Sequence, residues 1–107
     1  MQSITINKHI LLDKLKHHSG DIKAYGVISL GLFGSFVRNT ATDNSDIDLL
    51  VEFDPKQKTF DNFMDLSFFL ENLFGRKVEL VTLQSLSKYI GPHILKEVEN
   101  VVLQECQ

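Results

Sequence analysis

Among 107 residues there is one cysteine, Cys106, and no tryptophan. A single thiol closes no internal disulfide, so the apolar core alone must hold the fold, and a reducing cytoplasm is the expected compartment. Proline is scarce, at two residues, and the six glycines are scattered rather than clustered. No linker, repeat or low-complexity stretch divides the chain, and residues 1–107 read as one domain with a modest core. No apolar run approaches the ~20 residues that span a bilayer, and no charged-then-apolar leader stands at the start, so a membrane partner is not expected. Excess base is missing too: 11 Lys and Arg stand against 14 Asp and Glu, a net charge of −3. A nucleic-acid backbone normally meets a basic surface, so direct nucleic-acid binding is not expected either. A nucleotide arriving with its own cation is compatible with that charge. At 43% hydrophobic and 23% charged, the composition is that of a folded globular chain and not of a disordered one.

What is present concentrates in two stretches. Ile28-Ser-Leu-Gly-Leu-Phe33 is short, rich in branched and aromatic side chains and closed by Gly34, which predicts a strand. Gly34-Ser35 then forms its tip. Glycine lets a ligand approach the backbone, and N–H groups turning into a helical segment, with the Ser35 hydroxyl, suit phosphate oxygens. A Gly-Ser pair alone is more often an ordinary turn. Asp46-Ile-Asp-Leu-Leu-Val-Glu-Phe53 reads as an apolar strand interrupted only by Asp46, Asp48 and Glu52. Alternation puts Asp46 and Asp48 on one face, about 7 Å apart along the backbone, and Ile47, Leu49 and Val51 on the other. Two carboxylates 4 Å apart at an effective dielectric near 20 repel by about 4 kcal/mol, so such a pair asks for a cation such as Mg²⁺ or for a raised pKa. A polar turn Asp43-Asn-Ser-Asp46 accounts for the first two acids. It accounts poorly for Asp48, inside an apolar strand.

In these residues the sequence resembles the minimal nucleotidyltransferases of the DNA polymerase beta-like superfamily. The resemblance rests on Gly34-Ser35, on Arg38 three residues later, and on Ser45-Asp46-Ile47-Asp48 leading an apolar strand. It implies an α/β (α+β) nucleotidyltransferase fold, a small mixed sheet flanked by helices. It implies ATP as substrate, with Gly34, Ser35, Arg38 and Ser45 at the nucleotide, and two Mg²⁺ ions held by Asp46 and Asp48. Relatives usually offer a third aspartate in a Val-Asp-Leu-Val run, matched here by Val78-Glu79-Leu80-Val81. Glu79 is therefore expected as the third catalytic and metal-binding carboxylate, its extra methylene putting second-metal geometry in question; a solvent-facing Glu on an edge strand is the alternative. Small members of the family are often antitoxins paired with a HEPN-domain toxin, and some transfer AMP from ATP to a tyrosine of that toxin. That is the function the resemblance implies here. A non-catalytic antitoxin acting by contact is the second reading. A small-molecule transferase of the aminoglycoside type is the third, and it needs an acceptor pocket for which this chain is short.

The remaining segments read as support. Ile6, Ile10, Leu11 and Leu15 predict a helix over 3–18 with Ser3 or Thr5 as its cap, and Ser19-Gly20 ends it before a turn over 21–25. His17 and His18 are adjacent and share no helix face, so they do not read as a metal site. A helical turn between the motif strands carries Arg38, poised to meet a phosphate or one of the aspartates. Asn39 after it tolerates a left-handed backbone. Thr59 caps a helix from Phe60 to about Phe74 ended by Gly75, with Phe63, Leu66, Phe69, Leu70 and Leu73 as its core stripe. Phe60, Met64 and Phe68 fall off that stripe, which points to contact with a second copy or with the toxin. Lys77 to Val81 is a third strand. Ser85 to Tyr89 reads as a helical turn, and Gly91-Pro92 restarts a helix with Ile94, Leu95, Val98 and Val102 inward; Val101 to Leu103 reads alternatively as a short strand.

Overall fold

The computed structural model describes residues 7–42, 44–86, 91–101 and 103. The first helix, α1 (Lys8–His17), starts later than its periodicity suggests, because Asn7 caps it: the Asn7 side chain accepts from the Ile10 N–H at 2.8 Å. Ser3, Thr5 and Ile6 lie outside the described residues. Lys14, Lys16 and His17 stand in its last turn, where cations complement the helix dipole. Ser19 begins a second helix, α2 (Ser19–Ala24), rather than a plain break. The Ser19 hydroxyl donates to the Lys16 carbonyl at 2.6 Å, so the junction satisfies its own polar groups while staying buried.

Then follow β1 (Val27–Phe33), the single-turn helix α3 (Ser35–Arg38), β2 (Ile47–Phe53), α4 (Phe60–Phe74) and β3 (Val78–Thr82). A 3₁₀ turn at Leu83–Ser85, α5 (Gly91–Glu97) and β4 (Glu99–Val101) complete the order. The sheet runs β3-β2-β1-β4, with β1 antiparallel to both β2 and β4 and β2 parallel to β3. Mixed pairing follows from the connections: β2 and β3 are joined through α4, the right length of crossover for parallel neighbours.

The pleat sorts the sheet into two faces. Leu30 and Leu32 of β1 pair with Val51 and Leu49 of β2, and all four are buried with Ile47 and Phe53. Against that face pack Leu11 and Leu15 of α1, Ile22 of α2, and Leu66, Leu70 and Phe74 of α4. Thr59 caps α4 by accepting from the Asn62 N–H at 3.0 Å, and Gly75 ends it at φ 66°. Phe63, Phe69 and Leu73 of the expected stripe pack on the core, whereas Phe60 and Phe68 are 76% and 55% exposed and Met64 is half-buried.

The opposite face carries Phe33, Asp48, Leu50 and Glu52, and Val98 lies over Gly31 there. The C-terminal segment corrects the longer helix: α5 stops at Glu97 and the chain turns extended, so the short-strand reading is the one realised, two residues earlier than expected. Leu95, an expected inward position, is 52% exposed. Of the turn expected over 85–89, Leu86 lies just after the 3₁₀ turn, while residues 87–90 and Val102 lie outside the described residues.

Candidate active site

One end of the sheet gathers the acids, and strand direction explains why. β1 ends at Phe33, opposite Asp48 near the start of antiparallel β2, so the Gly34-Ser35 tip and the Asp46-Ile-Asp48 opening meet there. β3 runs parallel to β2 with Glu79 opposite Asp48, which puts a third carboxylate on the same face. β4 pairs Glu99 with Leu32, and two residues upstream Glu97 comes beside Gly34.

Gly34 has φ 83° and ψ −152°, a backbone that side chains strongly disfavour, and a Cβ there would run into the Asp48 carboxylate. Glycine at this tip thus lets the turn form and leaves room for Asp48. The α3 backbone folds back at once, with Arg38 and Val37 N–H donating to the Gly34 carbonyl at 3.2 and 3.1 Å. Asn39 adopts φ 61°, as its tolerance of left-handed backbone allows, and Thr40 N–H closes on the Ser35 carbonyl at 3.0 Å.

Among the described residues Arg38 meets a glutamate and not an aspartate. Its Nη1 donates to Glu97 Oε1 at 2.9 Å and Oε2 at 3.2 Å, and Glu97 Oε2 also accepts from the Gly34 N–H at 2.8 Å. Ser45 faces its own loop: its hydroxyl accepts from the Thr42 N–H at 2.8 Å, shaping the turn that delivers Asp46. Arg76 braces the same turn, donating to the Thr42 and Ser45 carbonyls at 3.3 and 3.0 Å while its guanidinium lies 5.4 Å from the Phe36 ring centroid. The loop before Asp46 and the helix after Gly34 are therefore tied through one side chain. Asp43 lies outside the described residues.

The acids make a strongly negative corner. Asp48 is half-buried, and its carboxyl rises from an ordinary 3.8 to about 6, chiefly because burial disfavours its charge, with Glu79, Asp46 and Glu97 adding repulsion and Arg38 opposing it. Glu79 is exposed on the edge strand, yet it shares the face and register of Asp48. An open cleft of ≈ 430 Å³ lies against this corner, lined by Phe33, Gly34, Arg38, Asp48, His93, Ile94 and Glu97. A hollow of ≈ 270 Å³ between α1 and β4, lined by His9, Asp13 and Asn100 among others, lacks that convergence of carboxylates. Among the described residues no three His, Cys, Asp or Glu side chains form a ready-made cation cage. The donors suit instead a hard cation that reaches one or two carboxylates while keeping phosphate oxygens of its own, the habit of Mg²⁺.

Comparison with known proteins bears on this geometry. The profile of the nucleotidyltransferase domain matches residues 10–106, from α1 to beyond β4. The chain belongs to that family. This nucleotidyltransferase is 40% identical over 74 residues to the protein adenylyltransferase MntA of Thermococcus cleftensis, covering 69% of this chain and 74% of that protein. It is 38% identical over 87 residues to a Methanocaldococcus jannaschii protein provisionally named a protein adenylyltransferase, covering 79% of this chain and 84% of that one. Among solved structures, one provisionally described as a minimal nucleotidyltransferase superposes with a TM-score of 0.76 at 26% identity, covering 91% of this chain and 98% of that one. The fold is also that of a toxin–antitoxin structure containing AMP-PNP, with a TM-score of 0.65 at 21% identity, covering 94% of this chain and 76% of that one. The expected α/β nucleotidyltransferase fold is thus the one present, and nucleotidyl transfer is the activity of the family. Among the described residues no helix is long and apolar enough to cross a membrane.

The structure brings Gly34, Arg38, Asp46, Asp48 and Glu79 to one end of the sheet, with Ser35 half-buried at the tip. Sequence reasoning missed Glu97 and Arg76. Glu97 carried a signal only under the short-strand reading, since a helix continued to Val102 leaves it on a polar face. Arg76, between a helix-ending glycine and a strand, showed nothing in sequence to separate it from a surface arginine.

Proposed function

We propose that this nucleotidyltransferase transfers AMP from ATP to a hydroxyl of a partner protein, a tyrosine of a HEPN-type toxin, and so acts as that toxin's antitoxin. The observation that carries the reading is the convergence of Asp48, Asp46 and Glu79 on the open sheet face beside a glycine tip that only glycine can form. The names of the relatives, protein adenylyltransferase and MntA, support a protein as acceptor.

Asp46 and Asp48 would hold Mg²⁺ carried in with the triphosphate, with Glu79 at the edge for a second ion. When bound, the cation neutralises charge on the phosphate oxygens and the leaving pyrophosphate. The Gly34 turn, the Ser35 hydroxyl and Arg38 then orient the β- and γ-phosphates. The acceptor oxygen attacks the α-phosphorus, the bond to the β-phosphate oxygen breaks, pyrophosphate leaves, and the acceptor's proton passes to solvent water in the open cleft. Catalysis rests mainly on positioning and charge. Ser45 and Arg76 act by holding the loop that presents Asp46. The cleft is open toward solvent, as a protein acceptor requires.

The exposed Phe60 and Phe68, with Met64 between them at four-residue spacing, form the face proposed to meet the partner protein or a second copy. Phe60 starts α4 beside Phe53, at the far end of β2 from Asp48, so docking there leaves the nucleotide corner open. Incubation with ATP labelled at the α-phosphate and with the protein encoded by the neighbouring gene tests the reading. Label on a tyrosine of that protein supports it; inhibition of the toxin without label favours an antitoxin acting by contact alone.

A further inference from the structure

At the acid corner the groups best able to grip a phosphate oxygen are a guanidinium, Arg38, and a main-chain donor, the Gly34 N–H. Both are engaged by one carboxylate. Glu97 Oε2 lies 2.8 Å from the Gly34 nitrogen, and Arg38 Nη1 lies within 2.9 Å of Oε1 and 3.2 Å of Oε2. Two anionic oxygens facing a guanidinium and an N–H reproduce the demands of a phosphate group. The Glu97 side chain is 25% exposed and that of Arg38 56%, so the contact sits at the solvent-facing mouth of the cleft, where an incoming anion can reach it.

Glu97 is placed there by the end of α5, immediately before the chain enters β4 beside β1. His93, one helical turn earlier, lines the same cleft. Glu97 adds a further acid to a corner that already holds Asp46, Asp48 and Glu79, and among the described residues Arg38 is the one Lys or Arg lining the cleft. A phosphate and the Glu97 carboxylate cannot occupy the same donors together, and side by side they repel. We infer that Glu97 is an affinity-determining residue of the transfer site: its carboxylate fills the phosphate seat of Arg38 and the Gly34 N–H before nucleotide binds, and the triphosphate must displace it.

This rests on the reading of the cleft as a nucleoside triphosphate site. Apparent affinity is then the intrinsic affinity multiplied by the fraction of time the seat is open, and a carboxylate seated nine-tenths of the time weakens binding about tenfold. The seat responds to phosphate and not to the base or sugar, which separates competition from a general structural role.

Calorimetric titration of the wild type, Glu97→Gln and Glu97→Ala with ATP, inorganic tripolyphosphate and adenosine, each with Mg²⁺, tests it. Both variants should bind ATP and tripolyphosphate about tenfold more tightly than the wild type, with adenosine unchanged. In an Arg38→Ala background the gain from Glu97→Ala should vanish, because the seat is gone. Wild-type or weaker affinity for tripolyphosphate in both variants overturns the role of Glu97 while leaving the nucleotide reading in place, as does a tightening that extends equally to adenosine. Absence of ATP binding in all three proteins overturns the nucleotide reading itself.

Discussion

Replacing Asp48 by Asn should stabilise this protein while disabling it. The half-buried carboxyl titrates near 6 instead of 3.8, so at neutral pH the folded chain holds a charge that burial and its acidic neighbours oppose. Two pKa units correspond to about 3 kcal/mol, and screening by the solvent that still reaches Asp48 reduces this to about 1–2 kcal/mol. For a domain of this size each kcal/mol moves Tm by about 4–8 °C, so Asp48→Asn should melt about 4–16 °C higher at pH 7.5 in metal-free buffer. The pH dependence has a definite sign. Between 3.8 and about 6 the folded chain keeps a proton that the unfolded chain releases, so the wild type loses stability as pH rises through that window. The advantage of Asn should therefore be full above pH 7 and nearly gone at pH 4. Thermal melts followed by circular dichroism at pH 4, 5.5 and 7.5 measure it. An Asn variant that melts at or below the wild-type temperature at pH 7.5, or whose advantage is the same at all three values, refutes the account of the acid corner.

Glu79→Asp should retain or raise transfer, whereas Glu79→Ala should lower it by about tenfold or more if the carboxylate opposite Asp48 takes part; equal rates in all three assign Glu79 to the solvated edge. Arg76→Ala should release the turn before Asp46, lowering kcat about tenfold through misplacement while costing about 1 kcal/mol of stability, with Arg76→Lys recovering little because it lacks the planar fork. Steady-state kinetics beside melting curves separate the two effects. Met64→Glu with Phe68→Ser should weaken association with the partner by at least tenfold and leave ATP affinity unchanged; a partner that binds this variant normally docks elsewhere.

The motif strands, the α4 helix with both its caps and the meeting of Gly34 with Asp46 and Asp48 were legible because each is written locally. Alternation fixes the face of Asp48, Thr59 and Gly75 fix the ends of α4, and a glycine before Ser35 marks the tip. Glu97 was not legible, because its place depends on β4 pairing with β1 across the fold, a contact between segments more than 60 residues apart in sequence, from Gly34 to Glu97. A three-residue strand beside a two-turn helix carries too few residues for periodicity to separate them, and the helical reading carried Leu95 inward where the fold leaves it exposed. Arg38 illustrates the same limit from the other side. Its need for an anionic partner is evident in sequence, but which acid meets it is decided by the sheet order.

Asp46 and Asp48 are proposed to form the cation and nucleotide site, and Mg²⁺-dependent ATP binding by the Asp46→Asn, Asp48→Asn double variant is the decisive test. The double variant should fold at least as stably as the wild type, since repulsion between carboxylates is relieved, and should show no Mg²⁺-dependent binding of ATP. A well-folded double variant that binds ATP and Mg²⁺ with wild-type affinity would contradict the account.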